Sequence, residues 1–290
     1  MMRDLAEFIM RGRWQALAVA VIGSVLVIAA PVSAAAIALV TLGRSVRDGA
    51  WVVLWSMLPA LLLGWVSGDY GTGLLLLSVF AGAAVLAQTY SLSLALLAVV
   101  PVSALGGVAQ LAFNSAFLDA LLTVFDTWIE ALESGADETA VIGLLRPSVP
   151  QVAGLMAVGN SLLACISLLL GRYWQAALYK PGAFGDEFRA LRLPSLWAAA
   201  LVLVTVAGAL GGRELAAWTA LAGIPVTICG FALLHHVARD RQLGFGFLAV
   251  SYMLWAFVDL LKVGVLIAVL LDTFLTSVVG QRRADSRVES

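Results

Sequence analysis

The chain has 290 residues, of which 62% are hydrophobic and only 12% are charged, and its mean hydropathy is +0.99. Soluble domains are only about 45–50% apolar, so this composition excludes a soluble protein and predicts a single integral membrane domain over residues 1–290 with an all-α fold. The net charge of −1, with Lys and Arg dispersed among loops, excludes the concentrated basic patch that nucleic-acid binding needs.

The first apolar run covers residues 14–42 and follows Arg3, Arg11 and Arg13. It is longer than the apolar part of a signal peptide, so we expect it to be retained. Pro31 divides it into two short halves, which form either one kinked helix or a hairpin of two short spans, since a span needs about 20 residues. Ala34 and Ala38, four residues apart, are interpreted as a packing surface between helices.

Loop charges decide between these topologies, because Lys and Arg accumulate in short cytoplasmic loops. Further apolar segments lie at residues 50–66, 71–89, 92–112, 151–170, 195–210, 215–234 and 243–279. With a hairpin and a cytoplasmic N-terminus, the basic loops fall inside, and Asp69 and the acidic segment 113–150 fall outside. A break in the last segment near Asp259 and Lys262 would return the tail, with Arg282, Arg283 and Arg287, to the inside. The prediction is a polytopic transmembrane helical bundle of about nine spans, with eight to ten as the range.

The external acidic segment contains an amphipathic helix over residues 115–133. Apolar side chains recur at helical spacing from Phe117 through Leu121 and Phe125 to Trp128, and acidic residues gather on the opposite side. We expect an interfacial helix that lies on the bilayer. The alternative is a lid, or an acidic docking surface for a partner protein.

Polar residues inside apolar segments are costly and therefore mark candidate sites. Asp259 and Lys262 are three residues apart and share one helix face. Together with Gln110, Asn160 and Tyr252 they form the predicted pocket for a small metabolite. The alternative interpretation is that each residue serves only in a bond between helices or in a local ion pair.

Motifs for catalysis and energy coupling are absent from the sequence. There is no GxxxxGK[ST], HExxH or GxSxG pattern, and the only lysines are Lys180 and Lys262. Cys165 and Cys229 are isolated in apolar runs, which is typical of packing residues. We therefore expect no enzymatic activity, cofactor or metal.

Residues 171–194, GRYWQAALYKPGAFGDEFRALRLP, form the most charged internal loop. The turn signal Pro181-Gly182 predicts a cytoplasmic interfacial elbow of two short helical pieces. Its basic and aromatic side chains predict a surface for lipid or a partner, made of Arg172, Trp174, Lys180, Phe184, Phe188 and Arg189.

This motif resembles the signature of the YybS-like family of uncharacterised bacterial membrane proteins, and the positions of His235, Tyr252 and Asp272 agree with it. The resemblance implies a bacterial inner-membrane protein. It also implies a distant similarity to the S components of energy-coupling-factor transporters, which capture micronutrients and depend on a separate ATPase partner. The alternative is a non-catalytic scaffold or assembly factor that binds a partner through residues 171–194 or 115–133.

Overall fold

The computed structural model describes residues 2–134 and 146–288, with side chains given except at residues 132, 133 and 277–288. The described residues form helices joined by short connections, and no strand occurs among them. The helices are α1 Met2–Arg11, α2 Arg13–Val25, a 3₁₀ turn Val27–Ala29, α3 Ala30–Gly43, α4 Val46–Ser67, α5 Gly71–Thr89, α6 Leu92–Phe113, α7 Ser115–Glu133, α8 Val149–Tyr179, α9 Ala183–Arg189, α10 Ser195–Leu210, α11 Arg213–Asp240, α12 Phe245–Phe257 and α13 Asp259–Val288. The part of the external segment at 135–145 and the side chains of the C-terminal arginines lie outside this description.

Among the described residues, five helices, α4, α5, α6, α8 and α11, are long and apolar enough to cross a membrane, and the bent pair α12–α13 makes a sixth if it is one span. Their outward faces carry large apolar side chains, such as Leu58, Leu62 and Trp65, which are 54%, 61% and 80% exposed. A soluble protein rarely leaves so much contiguous apolar surface uncovered. The fold is all-helical and compatible with a multi-pass membrane protein.

The centre of the bundle is α3. Every residue from 34 to 41 on this helix is buried, because α1, α2, α4, α5 and α8 pack around it. Ala34 and Ala38 lie in this core, which confirms their predicted packing role. Small residues bring the neighbours close: a Cβ on Gly171 of α8 would lie 2.6 Å from Ala38 Cβ and 2.8 Å from the Ala35 carbonyl oxygen.

The first apolar run is a hairpin rather than one kinked helix. The Ser33 hydroxyl donates a hydrogen bond to the carbonyl oxygen of Ala20. Residues 13 positions apart in a straight helix would be about 20 Å apart, so the chain must fold back between them. The reversal is at the 3₁₀ turn, and Pro31 follows it in the first turn of α3, where proline is tolerated.

Helix α3 has only 14 residues, whereas α4, α6 and α8 have 22, 22 and 31. It is therefore about 21 Å long, shorter than the roughly 30 Å of a bilayer core. Because its neighbours extend further, a recess remains at each end of α3. One is lined by Ala30 and Pro31 and the other by Thr41 and Leu42.

The predicted break in the last apolar segment is confirmed. The axes of α12 and α13 differ by 115°, with the break at Val258, and Asp259 opens α13. A carboxylate in the first turn complements the positive end of the helix dipole. No residue of α12 is buried, whereas α13 packs against α10 and α11.

The predicted elbow is shorter than residues 171–194. Helix α8 continues to Tyr179, and the turn begins at Lys180 and passes through Gly182, whose φ of +90° favours glycine. The surface position predicted for Trp174 is wrong: its side chain is 1% exposed. Trp174 follows Gly171 by three residues and shares the inward face of α8, so it packs into the core.

Candidate functional site: the Asn160 recess

The recess at the start of α3, here called the Asn160 recess, has a volume of about 260 Å³. Three parts of the chain form it: the turn into α3, the connection from α4 to α5, and the first half of α8. The lining residues are Val27, Ala30, Pro31, Asp69, Gly71, Thr72, Leu75, Met156, Gly159, Asn160 and Leu163. The walls are thus mainly apolar, with few polar groups.

Asn160 joins three helices by its side-chain amide. Its Nδ2 donates to the hydroxyls of Ser78 on α5 and Ser103 on α6, at 3.2 Å each, and the two hydroxyl oxygens are 3.3 Å apart. Ser78 and Ser103 are buried. A satisfied polar cluster of this kind fixes the three helices and so holds Asn160 rigidly in the recess.

Gln110 lies beneath the recess, beside a smaller space of about 20 Å³ that Asn160, Gly71 and Met156 also line. Its side chain is buried, and its Oε1 accepts a hydrogen bond of 2.7 Å from Asn114 Nδ2. Its Nε2 has no hydrogen-bond partner among the described residues. The space is large enough for one water-sized group, since about 10–15 Å³ suffices.

A buried donor without a partner is unusual, because leaving it unpaired costs about 1–3 kcal/mol. The Gln110 amide is fixed through its Oε1, because Asn114 Nδ2, which donates to this oxygen, also donates to the Gly68 carbonyl oxygen at 2.6 Å. The unpaired N–H is thus kept beside the space below the recess. It is suited to donate to an acceptor that enters from there.

The mouth of the recess carries one carboxylate, that of Asp69. Its Oδ1 accepts a hydrogen bond of 2.8 Å from the Gly71 N–H, which fixes the connection from α4 to α5. Gly68 precedes it with a φ of +79°. Apolar walls with a few placed polar groups are the usual composition of a small-molecule site.

Helix α7 is held against the same end of the bundle. The predicted amphipathic helix forms as expected, but its deepest residue is Leu118, which is fully buried against Val152 and Ala153 of α8. Trp128, assigned to the apolar stripe, is 71% exposed. The first turns of α7 therefore pack on protein, so a flat interfacial position does not describe the whole helix.

The other predicted pocket residues lie elsewhere. Tyr252 on α12 shares a hydrogen bond of 2.9 Å with His235 of α11. Asp259 and Lys262 form the expected ion pair at 2.7 Å, but the Asp259 side chain is 93% exposed. The prediction of one pocket for all five residues is wrong, because α12 and α13 pack on α10 and α11, whereas α3, α5 and α8 line the recess. Gln110 and Asn160 are the two that come together.

The predicted elbow surface is largely turned towards the protein. Phe184 and Phe188 are half-buried and stacked, with ring centroids 5.9 Å apart, and Phe188 also contacts the His235 ring at 5.7 Å. Arg189 pairs with Asp186 on α9 itself. Arg172 pairs with Glu187, and only Lys180 of this set is exposed. These contacts fasten α9 to α8 and α11.

Ser78, Ser103 and Asp69 belong to the site although the sequence did not single them out. The two serines are 25 residues apart, and serine is common in the interfaces of membrane helices, so no sequence signal distinguishes them. Asp69 does carry a signal: it stands in a Ser-Gly-Asp turn between two long apolar segments.

Comparison with known proteins adds no further constraint: no family model, curated protein or solved structure matches this chain. The candidate site therefore rests on its geometry.

Proposed function

We propose that this protein is the substrate-capturing subunit of a small-molecule transporter, comparable to the S components of energy-coupling-factor systems and dependent on a separate ATPase partner. The observation that carries the proposal is the buried, unpaired Nε2 of Gln110 beneath the Asn160 recess. The sequence motif at 171–194 supports membership of the YybS-like family.

The apolar helices support the count of nine spans. In the part of the chain that the structure describes, nine spans are reached when the five long helices are counted with the three shorter apolar helices α2, α3 and α10 and with the bent pair α12–α13 as one span. The resemblance to the YybS-like family supports a bacterial inner-membrane protein, and loop charge supports a cytoplasmic N-terminus.

The grouping of loops supports the orientation that capture requires. The recess is lined by Asp69, which is assigned to the outside, and by the first half of α8, which follows the external segment 113–150. Arg44 and Arg172, which belong to basic loops assigned to the inside, line instead the cavity at the other end of α3. In this topology the Asn160 recess opens to the external medium.

The lining defines the chemical class of the ligand. Its body is apolar and small, because the walls are mainly apolar and the volume is about 260 Å³. One end carries a hydrogen-bond acceptor, such as a carbonyl or ring nitrogen, for Gln110 Nε2. An amine or another donor near the mouth would pair with the Asp69 carboxylate.

A metabolite screen by thermal unfolding of the purified protein tests the proposal. A true ligand at 100 times its Kd stabilises the folded state by about 2.7 kcal/mol. We expect Asn160→Leu and Gln110→Met to lose this stabilisation. Tyr252→Phe, a variant of a predicted pocket residue outside the recess, should keep it.

Two results would contradict the proposal. One is a broad screen of small amphipathic metabolites that gives no stabilisation of the wild-type protein. The other is a ligand whose effect survives Gln110→Met and Asn160→Leu but disappears in Tyr252→Phe, because that pattern would place the site at α11 and α12.

A further inference from the structure

The cavity at the other end of α3, here called the Arg172 cavity, has a volume of about 420 Å³. It lies where α3 ends and α4 begins, and the end of α5, the last third of α8 and α9 complete it. The lining residues are Thr41, Leu42, Arg44, Ser45, Val46, Leu86, Ala87, Tyr90, Arg172, Gln175 and Glu187. Its size is in the range typical of small-molecule sites.

Arg172 is held in this cavity by a chain of contacts. Its Nη2 is 2.7 Å from Glu187 Oε2, and its Nη1 donates to Gln175 Oε1 at 2.9 Å. Gln175 is itself anchored, because its Nε2 donates to the Leu42 carbonyl oxygen at 2.7 Å. The guanidinium is therefore positioned before any ligand binds, with a carboxylate against it.

Arg44 gives the lining a second positive charge. Its Nη2 donates to the Met10 carbonyl oxygen at 2.7 Å, which is a neutral acceptor. The nearby Asp48 carboxylate is occupied by Arg13 at 2.8 Å and by the Ser45 hydroxyl. The lining thus has two arginines and one carboxylate, a net charge of +1.

We propose that the Arg172 cavity binds a phosphate group, which competes with the Glu187 carboxylate for Arg172. Phosphate and carboxylate oxygens are both acceptors for a guanidinium, and Glu187 Oε2 lies 2.7 Å from Arg172 Nη2 without forming an aligned hydrogen bond, so a phosphate oxygen can take its place. Arg44 supplies the additional charge that favours the anion. The phosphate belongs either to a soluble phosphate ester or to the headgroup of an anionic lipid.

This inference is independent of the proposed function, since the two cavities share no lining residue. Failure of one would leave the other standing. Removal of the Glu187 carboxylate also distinguishes a binding site from a purely structural ion pair. At a binding site the affinity for phosphate rises, whereas a structural ion pair only loses its contribution to folding stability.

The experiment uses the full chain in nanodiscs and has two arms. In the first, discs of phosphatidylcholine alone receive phenyl phosphate at constant ionic strength, and binding is measured by calorimetry. In the second, discs containing phosphatidylglycerol are released into detergent, and the retained lipid is counted by native mass spectrometry. Binding in the first arm identifies a soluble ester, and retention in the second identifies a lipid headgroup.

Three variants and one control define the expected pattern in whichever arm binds. Arg172→Gln and Arg44→Gln should each weaken binding about tenfold or more, because charge-assisted bonds to phosphate are lost. Glu187→Gln should tighten it about fivefold, because a competing negative charge is removed. Asp186→Asn is the matched control: this neighbour on α9 is 76% exposed and does not line the cavity, so binding should not change.

Glu187→Gln keeps the test decisive even if an arginine variant does not fold, since it retains both cations. Tighter binding in Glu187→Gln with no change in Asp186→Asn supports the proposal. No binding in either arm, binding that persists in both arginine variants, or weaker binding in Glu187→Gln overturns it.

Discussion

Replacing Gln110 with methionine should stabilise the protein while removing its ligand. The wild-type side chain buries an N–H that has no partner among the described residues, and this costs about 1–3 kcal/mol. Methionine is unbranched and of similar volume, so it fills the same space without a polar group. We therefore expect the ligand-free variant to be more stable than the wild type.

The size of the stabilisation expected for Gln110→Met follows from the hydrogen bonds around Gln110. The substitution also removes the bond that Gln110 Oε1 accepts from Asn114, which is worth about 0.5–1.5 kcal/mol. Asn114 Nδ2 keeps its bond of 2.6 Å to the Gly68 carbonyl oxygen, and its second N–H, which loses the Gln110 acceptor, belongs to a side chain that is only partly buried. The net gain is about 1 kcal/mol, or about 2 °C in Tm for a chain of this size.

Gln151 offers a matched control on α8. It is also buried, but its Oε1 accepts the Ser148 N–H at 2.8 Å in a capping box. Gln151→Met should lower stability by about 1 kcal/mol, because the helix loses this cap bond. Both variants are compared with the wild type by thermal unfolding in the same detergent without ligand. If Gln110→Met destabilises as much as Gln151→Met, the Gln110 amide is fully paired in the folded protein and the reasoning fails.

Two further predictions concern contacts that join helices of the bundle. Gly171→Ala should lower the free energy of unfolding by about 1–3 kcal/mol, because the added Cβ would press on the α3 backbone. Gly159→Ala on the same helix should raise the free energy of unfolding by up to about 1 kcal/mol, since its Cβ meets nothing within 4 Å. Equal effects of the two substitutions in unfolding experiments would contradict the close contact of α3 and α8. Asp272→Asn should destabilise by about 2–3 kcal/mol, because Arg192, whose Nε is 2.7 Å from Asp272 Oδ2, would lose its partner in a mostly buried position. The double variant Arg192→Met/Asp272→Met should recover most of that loss, and a double-mutant cycle that shows no coupling would refute this assignment.

Hydropathy and loop charge predicted the parts of this fold that depend on contact with water. The hairpin at the N-terminus and the break before Asp259 are both visible in the sequence, because prolines and charges are costly inside an apolar span. Ala34 and Ala38 could be assigned to packing for a different reason, since their small side chains suit close contact between helices.

Hydropathy carries no information on which side of a membrane helix faces inwards. Lipid and protein core are both apolar, so the buried and exposed faces of α8 do not differ in hydropathy as the faces of a helix in water would. Trp174 was therefore placed on the surface, although it is in the core. For the same reason the meeting of Ser78, Ser103 and Asn160 could not be foreseen, since it depends on the lateral order of α5, α6 and α8.

The two cavities are separated by the buried part of α3, which a transported ligand would have to pass. Residues 34–40 carry only Ala, Ile, Leu and Val side chains, and the hydroxyls at either end are already used: Ser33 donates to Ala20 and Thr41 to Ile37. Helix α3 itself therefore provides no chain of polar groups from one cavity to the other. In the proposed function, a ligand captured in the Asn160 recess can pass inwards only if α3 moves relative to α8. The contact of Gly171 with Ala35 and Ala38 is the tightest point of that interface among the glycines of α8, so it is where such a movement would have to begin.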